Sequence, residues 1–422
     1  MNIWLVTVGE PLPTDPGGSR LLRTGLLAGQ LTARGHKVLW WNSTFDHVRK
    51  QHRAAADADL TLENGARVRL LHGCGYRRNV SPRRILDHVL VARRFTRQAP
   101  DLPQPDVMLC SLPTLELAAA ATRHGRAQGV PVALDIRDLW PDYLAEMIPS
   151  WARFLARPAL APMVRQADAA CRNADALTGN ARAFVDWGLR RAGRGAGELD
   201  RSFPHAYPVQ PLDSARIWRA TEFWRGQGVA NDGVFTVCFF GVFSRKSDMT
   251  GVVDAAARLE RAGMPMRFVL CGTGEEEAAL RRHAAGLRSV IFPGWVGEAE
   301  IRVLMGLSHA GLAPYRNRAG FIGNLPNKPI EYLAGGLPVV TSLAGGEADF
   351  LRREGCVAHY PEGDSEALAA VLGELVRRPE ERSRMADAAR RVFTGNYSAD
   401  VVYEAMADWL EAVAKRGKVA RP

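Results

Sequence analysis

No window of the sequence approaches the roughly 18 uninterrupted apolar residues that a membrane-spanning helix needs, so none is expected. Cysteine is sparse: Cys74, Cys110, Cys171, Cys238, Cys271 and Cys356 stand far apart, with no C-x-x-C pair and no His-Cys cluster. That spacing argues against a disulfide framework or a zinc ribbon, and the thiols read as reduced and mostly buried in a cytoplasmic protein. H-E-x-x-H, G-x-S-x-G and Walker loops are absent, which removes zinc protease, serine hydrolase and P-loop chemistry from consideration. Asp57-Ala58-Asp59 mimics a metal-binding pair but lies in a polar, helix-like run, and the ten histidines are dispersed, so no metal is expected. The Met1–Val8 opening lacks a basic stretch and a cleavage site; it reads as a buried first strand rather than a signal peptide.

What is present is size and positive charge. A chain of 422 residues exceeds one ordinary hydrophobic core and predicts two domains of roughly 200 residues each. Its 47% hydrophobic and 24% charged residues are those of a globular protein. Lysine and arginine outnumber the acids 55 to 45, a net charge of +10. Much of the excess lies in Arg67, Arg69, Arg77, Arg78, Arg83, Arg84, Arg93, Arg94 and Arg97, against Asp87 alone. Such a stretch attracts polyanions. It lacks the interleaved aromatics of a single-strand binder, and no recognition-helix spacing occurs, so nucleic acid is not the expected partner. An anionic membrane face fits, as does a surface decorated with arginine to no end. Leu139–Pro162, with Trp140, Tyr143, Met147, Ile148, Trp151, Phe154 and Leu155, suits either lipid headgroups or packing beneath a binding cleft.

Short apolar runs alternate with helical stretches along the whole chain, the texture of parallel sheets covered by helices. The first series of strands begins at Ile3, Lys37, Val68, Val107, Val130 and Ala176, with helices over 19–34, 81–98, 114–128 and 182–191. Arg190–Pro211, rich in Gly, Arg and Pro, reads as the connection. A second series begins at Phe235, Met266, Val290, Ala310, Pro338 and Val357, and a helical tract runs to about Lys415. The expected division is residues 1–205, 206–395 and a C-terminal tract 396–422 that packs back on the first domain. Ligands in such α/β folds sit beyond the carboxyl ends of the strands.

Five segments carry candidate chemistry. In Gly320–Thr341 a glycine-bearing loop leads into a helix; backbone amides around Gly323, Asn324 and Leu325, with Asn327 and the helix's positive end, suit a diphosphate. Lys328 adds a point charge and Glu331, one turn on, can accept from a ribose diol; a glycine turn that only joins sheet to helix is the plainer alternative. Gly241 ends a strand before Arg245 and Lys246, which can neutralise phosphate or simply be solvated. Gly272 and Gly274 form a strand–Gly-x-Gly–helix junction near Trp295, either a base pocket or two tight turns. Gly17 and Gly18 follow the first strand. Asp135-Ile136-Arg137-Asp138-Leu139-Trp140-Pro141 ends another strand, with Arg137 and Asp138 as cleft residues or as a helix cap and its partner.

Glu331-Tyr332-Leu333-Ala334-Gly335-Gly336-Leu337-Pro338-Val339-Val340 resembles the signature of family 4 retaining glycosyltransferases, in which a Glu-x7-Glu motif precedes an A-x-G-x-P-V-V strand. The first glutamate of that motif is replaced by Gly323, as in a surface-polysaccharide branch that carries P-N-K-x-x-E-Y-L-A-x-G and R-D-L-W-P; Arg137 stands where many relatives have a histidine. Leu21–Ala28 and Arg34-Gly35-His36-Lys37-Val38 also look like this family. The resemblance implies a GT-B fold: two facing Rossmann-like α/β domains with parallel sheets and an interdomain cleft. It implies a retaining, metal-independent transfer of a hexosyl or N-acetylhexosaminyl group from a nucleotide-sugar, a UDP-sugar foremost. The acceptor would be a glycan or lipid-linked species in surface-polysaccharide biosynthesis, at the inner membrane face. Arg137, Asp138, Lys328 and Glu331 would be catalytic, and no cofactor is expected beyond the co-substrate. A sugar-nucleotide epimerase of the same fold and a non-enzymatic anion-binding protein are the alternatives.

Overall fold

A computed structural model describes residues 1–16, 20–146, 148–149, 151, 153–317 and 325–419. The chain separates into two compact units, Met1–Pro204 with Val402–Pro422, and His205–Val401. Residues 396–401 fall in the second unit because the turn Phe393–Tyr397 is laced to its start: the Tyr207 amide donates to the Tyr397 carbonyl at 3.0 Å, and the Ala399 amide to the Tyr207 carbonyl at 3.2 Å.

In the first unit the strands are β1 (Asn2–Val6), β2 (Lys37–Ser43), β3 (Phe45–Asp46), β4 (Gln51–His52), β5 (Ala58–Thr61), β6 (Arg67–Leu71), β7 (Val107–Leu112), β8 (Val132–Ile136), β9 (Ala176–Gly179) and β10 (Arg201–Ser202). All but β3 and β4 form one sheet in the order β10-β9-β8-β7-β1-β2-β6-β5, parallel except for β5 at the edge. Of the Asp57–Asp59 segment, expected to be helical, Ala58 and Asp59 thus lie in an edge strand and Asp57 just precedes it. Its alternation hides the strand: Ala58 and Leu60 are half-buried while Asp59 and Thr61 face solvent. Arg190–Pro211 is not merely a connection either, since β10 within it adds a strand to the sheet. Helix Arg153–Asn173 runs through Pro158 and Pro162.

The second unit holds β11 (Phe235–Phe240), β12 (Met266–Cys271), β13 (Val290–Gly294), β14 (Ala310–Ala313), β15 (Val339–Thr341) and β16 (Val357–His359). They pair in parallel in the order β13-β12-β11-β14-β15-β16. Connections from β11 wind first one way and then, from β14, the other, so the order reverses between β11 and β14, where such sheets bind ligands. β11 reads FTVCFF and is buried throughout, as a strand covered on both faces must be. Val237 and Phe239 pack on one side with the helices Met249–Arg261 and Ser365–Arg377. Cys238 and Phe240 pack on the other with Ile330, Tyr332 and Leu333 of the helix Asn327–Ala334.

The C-terminal helix Ala399–Val419 delivers its later turns to the first unit. Arg34 donates to Asp408 at 2.5 Å, and His36 Nε2 lies 3.0 Å from Glu411. Trp409 is buried, stands edge-on to Phe203 at 5.4 Å and donates its indole N–H to the Leu199 carbonyl at 2.7 Å. Trp409→Ala should therefore destabilise the first unit by about 3–5 kcal/mol, the usual cost of emptying a large aromatic site. Denaturant unfolding followed unit by unit checks this, and a loss below about 1 kcal/mol would show the helix to be an accessory.

Candidate functional site

At the carboxyl ends of β11 and β12 the second unit opens a cavity of about 240 Å³. Phe240, Gly241, Cys271 and Gly272 form its strand-end wall, Trp295 and Val296 follow β13, and Asn327, Lys328 and Glu331 come from one helix. Sequence reasoning named Gly241, Gly272, Trp295, Asn327, Lys328 and Glu331 separately; the fold brings all of them to this one hollow.

Local chemistry explains the convergence. Tyr332 is buried and donates its hydroxyl to the Leu312 carbonyl at 2.9 Å, which pins the helix against β14. Lys328 and Glu331, three residues apart, then share the helix face turned to the cavity. The helix start carries no side-chain cap, so its first amides are not consumed by the cap residue Pro326. Gly241, with φ +149°, leaves the room that Lys328 occupies: a Cβ there would lie 2.6 Å from Nζ. Gly272, also at φ +149°, abuts the Gly241 carbonyl so closely that a Cβ would overlap it. The two strand ends are thereby in backbone contact, and the Gly241 amide donates to the Cys271 carbonyl at 3.0 Å.

The Lys328 ammonium rests 5.2 Å from the Phe239 ring centre and 5.6 Å from that of Tyr315. Burial lowers its pKa below the ordinary 10.5; Glu331 opposes the shift and Lys246 adds to it. Glu331 is 9% exposed. A half-buried cation at a helix N-terminus beside a buried carboxylate can bind a phosphate and a hydroxyl pair side by side.

Other expected residues lie elsewhere. Lys246 acts on the cavity through its charge, and its carbonyl accepts from the Arg316 amide at 3.0 Å. Arg245 sits exposed on the same turn and does not line the cavity. Gly274 packs against the Phe243 backbone, and Leu325 is buried in the core. Gly17, Gly18, Gly323 and Asn324 lie outside the described residues.

In the first unit Arg137 is engaged in a buried network rather than presented as a lone cation. It donates to Asp135 at 2.6 Å, to Thr24 Oγ1 at 3.1 Å and to Glu10. Arg23 holds the same Asp135 at 2.9 and 3.3 Å and donates to the Phe203 and Pro204 carbonyls. Burial opposes the Asp135 charge, yet Arg23 and Arg137 outweigh it and its pKa falls. Asp138 lies half-buried beside this network. Glu10 and Arg23 were not singled out from the sequence, and Asp135 was read only as part of the strand end before Arg137, since nothing there marks residues so far apart as partners.

Residues 234–378 match the family described as glycosyl transferases group 1. That stretch spans the cavity. Residues 234–378 belong to this glycosyltransferase family. The chain holding this glycosyltransferase domain is 29% identical over 203 residues to the O-antigen chain mannosyltransferase C of Escherichia coli, covering 46% of this chain and 48% of that one. It is 30% identical over 151 residues to a GDP-mannose-dependent alpha-(1-6)-phosphatidylinositol dimannoside mannosyltransferase of Mycobacterium tuberculosis, covering 35% and 37%. The matched stretches thus span less than half the length of these curated relatives. Anabaena Alr3699/HepE, solved in complex with UDP, superposes at TM-score 0.65 with 15% identity over 97% of this chain and 99% of that one. This likeness shows the fold: the units of the glycosyltransferase-domain protein are the Rossmann-like halves of GT-B proteins.

Gly272→Ala is expected to destabilise the second unit by about 1–3 kcal/mol through overpacking. Gly306→Ala is the control, because nothing lies within 4 Å of its Cβ position and it sits in a helix. Equal unfolding midpoints for the two variants would show that the strand-end contact is slack.

Proposed function

We propose that the cavity holds the nucleoside diphosphate of a sugar nucleotide and that the protein transfers the sugar, with retention of its α-linkage, to a glycan or lipid-linked acceptor in surface-polysaccharide synthesis. The observation that carries this reading is the Lys328 ammonium, lodged at a helix N-terminus over two aromatic rings and next to a strand-end glycine. A diphosphate drawn there meets the ammonium and the uncapped amides, while Glu331 accepts from the ribose hydroxyls. Trp295, 66% exposed on the cavity rim, offers a ring face to the base.

In the transfer, the bond between the anomeric carbon and the phosphate oxygen breaks as the acceptor oxygen bonds to the same face of that carbon. The acceptor's hydroxyl proton passes to the departing phosphate oxygen. The protein's part is electrostatic: Lys328, with Lys246 nearby, stabilises charge growing on the diphosphate. Those cations do the work a divalent ion does elsewhere, so turnover is expected to persist in chelator. Arg137 serves the first unit through the buried network, and Asp138, next to it in the chain, is kept as a candidate cleft residue.

A UDP-sugar is the donor favoured here, in keeping with the UDP in the HepE structure. GDP-mannose is the second reading, because two relatives are named as mannosyltransferases, one of them GDP-mannose-dependent.

A peripheral membrane contact is part of the same reading. No described helix is long and apolar enough to cross a membrane, yet Trp151, Phe154 and Leu155 are 76%, 66% and 62% exposed. Such side chains suit lipid headgroups.

Lys328→Ala and Glu331→Ala should each lower turnover at least about 100-fold, the order of removing an electrostatic stabiliser, and should abolish the melting-point rise given by UDP or GDP. Activity of the wild type should decline at a pH below the 10.5 of an ordinary lysine, and Lys328→Arg should extend the alkaline side. Wild-type rates in both alanine variants would remove this site. Trp151→Ala/Phe154→Ala should weaken co-sedimentation with phosphatidylglycerol vesicles; undiminished binding would remove the membrane contact.

A further inference from the structure

The segments that follow β2, β6 and β8 meet at the carboxyl edge of the first unit's sheet, around Tyr76. Its buried ring lies 4.7 Å from that of Phe45. Lys50 Nζ stands 4.9 Å from the ring centre and the Arg84 guanidinium 5.6 Å from it. Arg84 also stacks on Trp140 at 4.6 Å. His47 Nδ1 is 2.6 Å from the Tyr76 hydroxyl and 3.5 Å from Lys50 Nζ. Four of the ten histidines come together here: besides His47, His52 and His72 stack at 4.6 Å beside Phe45, and His88 accepts from Arg84 at 3.4 Å.

Two cations approach one aromatic ring, and their hydrogen-bond partners are neutral. Arg84 donates to the Asn79 carbonyl at 2.7 Å, and Lys50 to the Asn79 side-chain oxygen. The nearby acids are committed elsewhere. Asp46 accepts the Val48 and Arg49 amides at 2.8 and 2.9 Å and bonds the Arg49 guanidinium; Asp87 accepts the Gly75 amide at 2.7 Å; Glu116 pairs with His88 at 3.5 Å. Among the described residues no ion pair includes Lys50 or Arg84. Lys50 is also the one described residue other than glycine with a positive φ, +59°, and closes the turn from β3 to β4 with its amide on the Asp46 carbonyl at 2.9 Å. Burial first, then Lys50 and Arg84, lowers His47 to about 4, so it is neutral near pH 7 and adds no charge of its own. The result is a positive field beside an aromatic ring, in which Asp46 acts on Lys50 through space but is bridged to Arg49 and Arg53 instead.

We infer that Lys50 and Arg84, over the Tyr76 ring, bind a phosphate or diphosphate group carried by the acceptor. Calling that group the acceptor's rests on the transferase reading; the anion site itself does not. The group belongs either to a phosphorylated lipid or to a small water-soluble phosphate.

The full-length protein is titrated calorimetrically with farnesyl diphosphate, inorganic pyrophosphate and farnesol. Farnesyl diphosphate should bind. Lys50→Gln/Arg84→Gln should weaken it roughly tenfold or more, as loss of charge-assisted hydrogen bonds does. The titrations are made in the Lys328→Ala background, so that the donor cavity does not contribute to diphosphate binding. Pyrophosphate binding lost in the same double variant marks recognition of the anion alone; binding confined to farnesyl diphosphate marks a lipid-borne anion. If the double variant fails to fold, Lys50→Gln alone must weaken farnesyl diphosphate. Unchanged affinity, or farnesol binding as tightly as its diphosphate, overturns the inference. The UDP or GDP melting shift, which depends on Lys328, reports separately on the donor site.

Discussion

Lys328 reaches the end of β11 because Gly241 has no side chain there, and β11 and β12 end in backbone contact because Gly272 has none either. The rest of the candidate site follows from that close approach. It sets the ammonium over Phe239 and Tyr315, holds the helix start against the strand ends and leaves a cavity between them and Trp295. The cost is a lysine held partly out of water, with its pKa pushed down by burial. A protein that keeps such a group keeps a place where an incoming anion gains more than at an open surface, because the surroundings screen it less.

The first unit handles charge in two contrasting ways. Around Asp135 every partner is internal: two arginines, Glu10 and Thr24 satisfy one another in a buried knot at the carboxyl end of β8. Removing one member of such a knot strands the others without water, so it enforces one arrangement of the strand ends. Around Tyr76 the opposite holds, since two cations face neutral oxygens and an aromatic ring. The first arrangement is complete in itself. The second gains from a ligand that brings negative charge.

Much of the fold was legible. β11, β14 and β16 begin at the residues read from their apolar patterns, because continuous apolar runs leave little choice. The edge strand Ala58–Thr61 was hidden by Asp59 within it and Asp57 just before it, acids that turn out to be partners of basic residues: Asp59 takes Arg69 and Asp57 takes Arg94. The helix Arg153–Asn173 runs on through Pro158 and Pro162, although proline ordinarily ends a helix. Gly241, Lys328 and Glu331 were found because each stood in a recognisable strand-end or helix-start setting. The grouping of His47, Tyr76 and Arg84 left no trace in the sequence, because it depends on which loops share a sheet edge.

The central claim is that a nucleotide's diphosphate lies against Lys328, and a crystal structure with UDP or GDP bound tests it most directly. A β-phosphate oxygen about 2.7–3.1 Å from Lys328 Nζ, hydrogen-bond range, with the ribose hydroxyls on Glu331, is the expected result. A nucleotide seated elsewhere while this cavity holds only solvent would contradict it.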